Sequence, residues 1–417
     1  MRLRFDHIAL FSLAFYTVSF YLPHQANTVG LVLLGLMFAL ALYLKKLRFS
    51  VAKPLLSYVL LFVILAFGLL YTNDLGSGGR VLLKHAPMLL LPFFTQIILL
   101  FDRSMLSKLM NLFVAASAVA SVICLVAATL HFFENGTVYS ATQKDHFVYN
   151  HFMHQLLTKP IRLHAVYFAL YLNVCGLWVI KELVSRDYPR ARKALLLIAF
   201  VLFAALIFLL KSAVFGILFP LSVSVLLVYS YRNKILGSNR LKGIMALLLV
   251  LGILFAGYVT KTKVEAFDFN FKFDDAHLSP LTMRLGLWQS AIDAIKEHWL
   301  LGFGTSNGMQ VLEEVYREKG FEIALSEGFN AHNMYLQYWL TNGIAALAAF
   351  LGIFVALFKS ALKHKNLLLG FVLFLFACYS ITESTMLRHH GLTFFVFITS
   401  IFYWSDKSNA VENTTSS

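Results

Sequence analysis

Long apolar runs recur from one end of this sequence to the other, and they decide what it can fold into. Each is roughly 15–25 residues long, and a hydrocarbon core takes ~20 helical residues, rising ~1.5 Å apiece, to cross. Strands do not need such runs, and backbone groups in lipid must satisfy one another inside a helix or a closed barrel. Composition agrees. Hydrophobic residues are 59% of the 417 and charged residues 13%, against roughly half and a quarter in a soluble domain. A soluble chain of this length divides into two or three domains. No polar linker or low-complexity tract marks such a division.

The runs predict an all-α integral membrane fold of about 12 transmembrane helices, forming a single polytopic domain over 1–417. Spans are expected near 7–22, 27–44, 54–72, 86–101, 108–132, 163–182, 195–210, 213–231, 243–260, 333–358, 366–384 and 391–405. Arg2 and Arg4 precede the first run as in a signal peptide. The run leads into Phe20-Tyr21-Leu22-Pro23 with no small-residue cleavage site, so it reads as a retained span. Only Lys211 and Ser212 separate two of the runs, which read either as two spans or as one broken hairpin.

Basic residues set the orientation. With both termini in the cytoplasm, the inner loops hold Arg2, Arg4, Lys45, Lys46, Arg48, Lys53, Arg103, Lys108, Lys181, Arg186, Arg190, Arg192, Lys193, Arg232, Lys234, Arg240, Lys242, Lys359, Lys363, Lys365 and Lys407. These are most of the 35 Lys and Arg, and they crowd the short loops that count toward topology. The net charge of +14 is largely this signal. A nucleic-acid partner would need a basic face on a soluble module, and none is present. Cys124, Cys175 and Cys378 fall inside predicted spans and read as small buried apolar residues.

Two long segments then face away from the cytoplasm, about 133–162 and about 261–332, and long loops commonly carry function. In the second, Leu285, Trp288, Ile292, Ile295 and Trp299 make one stripe of a helix, which could lie on the membrane surface or on the helical bundle. A second short helix is expected near 307–319. Gly302-Phe-Gly304-Thr-Ser-Asn-Gly308 lacks the GK[ST] ending of a phosphate loop and reads as a turn between these helices. In the first loop, the spacing of His146, His151 and His154 fits no metal-binding pattern, so no metal site is expected.

Phe329-Asn-Ala-His332-Asn333-Met-Tyr335-Leu-Gln-Tyr-Trp-Leu-Thr-Asn-Gly343 resembles the signature of the O-antigen ligase and polymerase superfamily. So does the placement of Arg284-x-x-x-Trp288 and Gly302-Phe-Gly304. Arg162-Leu-His164-Ala-Val-Tyr167 is similar to a His-Pro-x-Tyr lead into a helix seen in some members. Ala165 replaces that proline, and Lys211-Ser212 stands where some members have Ser-Arg.

The resemblance implies a bacterial inner-membrane, multi-pass glycosyltransferase with its large helical periplasmic loop between helices 9 and 10. Such enzymes need no metal and no cofactor. They take a glycan from an undecaprenyl-diphosphate donor and pass it, with inversion, to a lipid A-core hydroxyl or to another lipid-linked glycan. Membrane lipid is the surrounding partner, and the active site faces the periplasm.

His332 is the expected base. A neutral imidazole accepts a hydroxyl proton near pH 7, and the helix N-terminus beside it disfavours imidazolium. Outward cations would stabilise the leaving diphosphate; the candidates are Arg284, Arg162, Lys211, Arg80 and Lys84. The last two are expected to lead into the fourth span on one helical face, and also read as interfacial side chains whose charged ends reach water. Lys211, in a tight hairpin between apolar runs, is costly to bury. Asn333, His164, Tyr167, Trp288 and Tyr335 complete the candidates. Asn333 also reads as a helix cap, and Trp288 and Tyr335 as packing or headgroup anchors. Glu383, Arg388, His389 and His390 cluster at the last outward turn and read as a solvated turn or as lining of the site. Three other readings stand beside the ligase. A polymerase would use a similar site. A secondary transporter would show internal repeats. A glycan-binding scaffold would not need His332.

Overall fold

A computed structural model describes residues 2–102, 104–136, 140–141, 148–237, 272–273 and 279–415. Apart from one antiparallel pair of two-residue strands, Ser140–Ala141 with Val148–Tyr149, the regular structure among these is helical. The helices are α1 (Arg2–Val18), α2 (His24–Tyr43), α3 (Leu56–Phe67), α4 (Leu75–Phe94), α5 (Met105–Asn135), α6 (His154–Thr158), α7 (Ala165–Ser185), α8 (Arg190–Leu209) and α9 (Ala213–Gly237). After the segment outside the described residues come α10 (Pro280–Glu297), α11 (Gly308–Glu318), α12 (Glu322–Glu327), α13 (Met334–Lys363), α14 (Leu367–Thr382) and α15 (His389–Thr415). The span expected at 243–260 lies outside the described residues. Seven described helical segments are long and apolar enough to cross a membrane: His24–Tyr43, Lys53–Tyr71, Leu75–Leu100, Met105–Asn135, Ala165–Ser185, Arg190–Leu209 and Met334–Lys363.

Three local readings change. α4 starts at Leu75 rather than near 86, because Asp74 caps the Gly- and Ser-rich stretch that breaks the apolar run; its carboxylate accepts the Ser77 N–H at 3.0 Å. Arg80 and Lys84 therefore stand inside a helix instead of leading into one. α8 and α9 are separate helices joined by a turn at Leu210–Ser212. Cys124 and Cys175 are buried as expected, whereas Cys378 is partly exposed.

The chain divides into two compact units. The first comprises Met1–Ser12, Leu31–Arg103 and Lys263–Ser417; the second comprises Leu13–Gly30 and Ser104–Thr262. The second unit is built around α7, whose residues from Ala165 to Ile180 are all buried. Phe20, Tyr21, Phe113 and Tyr171 pack there mainly edge to face. Buried polar groups find partners, as when the Trp178 indole donates to the Asn111 carbonyl oxygen at 3.0 Å.

In the first unit, α3, α4, α13, α14 and α15 pack on one another. Phe395 lies at the centre, in contact with Tyr58, Phe354 and Phe376. At the N-terminal end of α13, α10 to α12 form a small apolar core of Leu287, Ala291, Ala294, Ile295, Leu312, Tyr316 and Phe321. The face α10 buries is thus Leu287, Ala291 and Ala294 against the bundle, and of the stripe expected from sequence only Ile295 is buried. Ile292 is exposed. Small residues allow close helix approach, and a search for large apolar side chains passes over Gly286, Ala291 and Ala294. Asp293 ties α10 to the end of α11 through Lys319.

α13 is not continuous. Asn342 (φ −128°, ψ 22°) and Gly343 (φ 68°, ψ −166°) leave helical geometry. Across the break, Phe303 N–H donates to the Leu340 carbonyl at 3.0 Å and Gly304 N–H to the Thr341 carbonyl at 2.7 Å. Ile344 N–H donates to the Trp299 carbonyl at 3.1 Å. The Phe303 and Gly304 amides of the turn at Gly302–Gly308 are therefore committed to α13, as in a turn and not a phosphate cradle. Both close glycines are required. A Cβ at Gly302 would come within 2.6 Å of the Thr341 carbonyl oxygen, and one at Gly343 would meet the Leu300 carbonyl.

Candidate functional site

Three side chains of the first unit converge from three elements. Arg284 lies one turn into α10, which Ser279 caps by accepting the Thr282 N–H at 3.2 Å. Glu383 follows directly on α14. His332 stands two residues before α13, whose cap is Asn333; the Asn333 side chain accepts the Leu336 N–H at 3.1 Å. Arg284 Nη2 donates to Glu383 Oε1 at 2.8 Å, and His332 Nδ1 lies 3.2 Å from Glu383 Oε2. One carboxylate thus joins the guanidinium to the imidazole.

Arg284 is fixed further. Its Nε donates to the Thr382 carbonyl at 3.0 Å, and its Nη1 to the Pro280 carbonyl at 3.2 Å. The first satisfies a carbonyl orphaned at the end of α14. The rigid guanidinium fork can hold two helix ends and a carboxylate at once, as an ammonium cannot.

The backbone at His332 is left-handed, φ 42°, a conformation that costs a residue with a Cβ ~1–2 kcal/mol. Several contacts hold it. His332 N–H donates to Asn330 Oδ1 at 2.9 Å, and Ser384 Oγ donates to the same oxygen at 2.8 Å. Ala331 N–H donates to Gln337 Oε1 at 3.2 Å, and the Trp288 indole N–H donates to the His332 carbonyl at 3.4 Å. The Phe329 ring meets the imidazole edge to face. Strain held by this many partners is typical of functional positions.

The electrostatics follow from the geometry. Burial alone would raise the Glu383 carboxyl. The hydrogen bond and charge of His332, with the Arg284 guanidinium, outweigh it and hold the group down at about 2. The carboxylate is therefore ionised, and it accepts from Nδ1. When Nδ1 carries the proton, Nε2 presents its lone pair. The His332 side chain is 26% exposed, so that nitrogen is within reach of an incoming hydroxyl. Among the described residues, no group of three or more His, Cys, Asp or Glu is arranged to hold a metal ion.

The remaining candidates fall elsewhere. Arg80 and Lys84 are exposed on α4 of the first unit, four residues apart, and Arg80 Nη2 donates to Ser77 Oγ at 2.7 Å. Tyr335 donates to the Ala377 carbonyl at 2.9 Å, which joins α13 to α14; its role there is packing. Arg162, His164, Tyr167 and Lys211 belong to the second unit. Arg162 and Lys211 are exposed and both left-handed, with φ 52° and 50°. Exposure removes the burial cost that singled out Lys211. His164 caps α7, accepting the Val166 N–H at 3.4 Å, and Tyr167 is buried beside it.

For Glu383, sequence reasoning favoured a solvated turn over a place in the site. A solvated turn holds for the exposed Arg388, but Glu383 is only 20% exposed and bonded through both oxygens. An acid directly after an apolar helix was the available signal. Asn330 and Gln337, which shape the His332 loop, carried none.

No curated protein matches the chain. A family model described as O-Antigen ligase matches residues 197–351, a stretch that contains Lys211, Arg284, Trp288, His332, Asn333 and Tyr335. Over that stretch, somewhat more than a third of its length, the chain is similar to the O-antigen ligase family.

Proposed function

We propose that this protein is an O-antigen ligase-like glycosyltransferase of the bacterial inner membrane, with about a dozen spans and its active site on the periplasmic face. The observation that carries the reading is the Arg284–Glu383–His332 constellation at the mouth of α13. A carboxylate that orients an imidazole, with the far ring nitrogen accessible, is the arrangement a general base requires.

The donor is an undecaprenyl-diphosphate-linked glycan and the acceptor a hydroxyl of lipid A-core or a similar glycolipid. His332 Nε2 takes the hydroxyl proton as the oxygen attacks the anomeric carbon. The bond from that carbon to the diphosphate oxygen breaks with inversion, and the diphosphate leaves. Glu383 positions the ring and offsets the positive charge it gains. Arg284, Arg80 and Lys84, all of the first unit, are the candidates for the leaving diphosphate; no metal ion has a part in the step. Asn333 holds the end of α13, and Trp288 the backbone of His332.

Deleting the gene in its host and examining the lipopolysaccharide on a gel tests the reading. Bare core with polymer retained on its lipid carrier is the expected result. Core bearing single repeat units would assign a polymerase instead, and an unchanged surface glycan would sink both. Complementation with His332→Ala then tests the base, since full rescue would exclude it.

A further inference from the structure

Trp299, Leu300 and Leu301, in the turn after α10, are 54%, 54% and 63% exposed. Three adjacent large apolar side chains turned outward need an apolar partner if they do not face water. The position of the turn along two membrane-length helices identifies that partner.

The turn is bonded to the break in α13, at Leu340, Thr341 and Ile344. Gly343 lies about 24 Å along the helix from the exposed Lys359, less than the ~30 Å of a hydrocarbon core. An independent mark comes from the helical segment Lys53–Tyr71. Thr305 Oγ donates to the Leu65 carbonyl at 2.6 Å, and Leu65 lies about 18 Å from the exposed Lys53. Tyr71 donates to the Leu301 carbonyl at 2.8 Å, and Phe67 and Leu70 on that segment are themselves exposed, at 62% and 81%. Both helices thus place the turn inside the hydrocarbon boundary, next to other outward apolar side chains.

Irregular backbone at such depth calls for polar groups satisfied by protein, and six carbonyls of this turn are. The His298 carbonyl accepts from Gly302 N–H, and those of Trp299 and Leu300 from Ile344 N–H. That of Leu301 accepts from Tyr71, that of Phe303 from Asn307 Nδ2, and that of Gly304 from Asn307 N–H. The Trp339 indole also donates to the Trp299 carbonyl, at 2.9 Å. Tryptophan and tyrosine at this level suit the region where acyl chains meet headgroups.

We propose that Trp299–Leu301 is a re-entrant loop immersed in the bilayer, its side chains in contact with lipid acyl chains in the leaflet at the His332 end of α13. This rests on the membrane-spanning helices and not on the transferase chemistry. A transferase that failed would leave it standing.

Nitroxide labels at Leu300→Cys and Leu301→Cys test it in the full chain, with Cys378 replaced by Ala, reconstituted in phosphatidylethanolamine–phosphatidylglycerol vesicles. Glu314→Cys, exposed on α11, is the aqueous control. Oxygen, which concentrates in hydrocarbon, should relax labels 300 and 301 more than a water-soluble nickel complex does, with the preference reversed at 314. Nickel access at 300 and 301 equal to that at 314 would overturn the proposal. So would oxygen access at those two sites that falls when undecaprenyl phosphate is added, since that would assign the face to a polyprenyl chain. A second measurement keeps the test open if the labelled variants fold poorly. Acyl-chain-brominated lipid should quench the chain's tryptophan emission more than that of Trp299→Phe; equal fractional quenching would count against the loop's immersion.

Discussion

Glu182 and Glu383 both sit among basic side chains, and the two clusters differ in the chemistry open to them. Glu182, near the end of α7, is 1% exposed. It lies 3.6 Å from both Lys181 Nζ and Arg186 Nε, and accepts from the Tyr188 hydroxyl. Glu383 is 20% exposed and touches Arg284 and His332. The difference lies in the partners. Lysine, arginine and tyrosine keep one protonation state near neutral pH, so the Glu182 cluster can only hold structure. Histidine exchanges its proton there, and one nitrogen of His332 faces outward. A buried carboxylate is therefore a weak indicator of function, and the group it orients is a strong one.

The largest break in this contrast is expected from His332→Ala. Loss of a general base should lower transfer by on the order of 10²–10⁴-fold with the protein still folded in detergent. Activity within a few-fold of the parent would remove His332 from the chemistry. Next comes Glu383→Gln. The amide can donate to Nδ1 and turn the protonated nitrogen toward the acceptor, so a loss on the order of 10²-fold or more is expected. Glu383→Asp should restore part of it, and the pH profile of the remaining activity should move. A uniform loss with an unmoved profile would make Glu383 merely structural.

Glu182→Gln sharpens the other side. It should cost ~1–3 kcal/mol of stability, from a buried cluster left with imperfect partners. Activity per folded molecule should stay unchanged, as read from thermal unfolding beside a transfer assay. The smallest effect is on pH. The Glu383 carboxyl is held at about 2, below the ~4.3 of a free glutamate. Its stabilising contribution is complete above that ordinary value and is lost as pH falls through about 2. The unfolding midpoint should therefore drop from pH 5 to pH 2 more steeply in the parent than in Glu383→Gln, and parallel curves would contradict the assignment.

Much of the fold was legible because lipid imposes length. An apolar run near twenty residues announces its helix whatever packs against it. His332 was singled out because its motif is local. The rest depends on contacts between distant parts of the chain. Glu383 meets His332 and Arg284 only when the ends of α10, α13 and α14 come together, and no periodicity encodes that meeting. The break at Asn342–Gly343 is stabilised by a turn some forty residues earlier, so the sequence around it reads as unbroken helix. On α10, glycine and alanine form the packed face, which a scale of hydrophobic size does not register.

The break in α13 also bears on tolerance. Membrane helices tilt and shift as bilayer thickness varies, whereas a catalytic group must hold its place to about 0.5 Å. The backbone ladder of α13 is interrupted between Leu340 and Ile344, and the N-terminal stub is bonded sideways to the turn at Trp299–Gly304. Tilting of the long C-terminal shaft therefore need not be carried rigidly to the imidazole. A joint so placed can act as a mechanical filter between the shaft and the imidazole of His332.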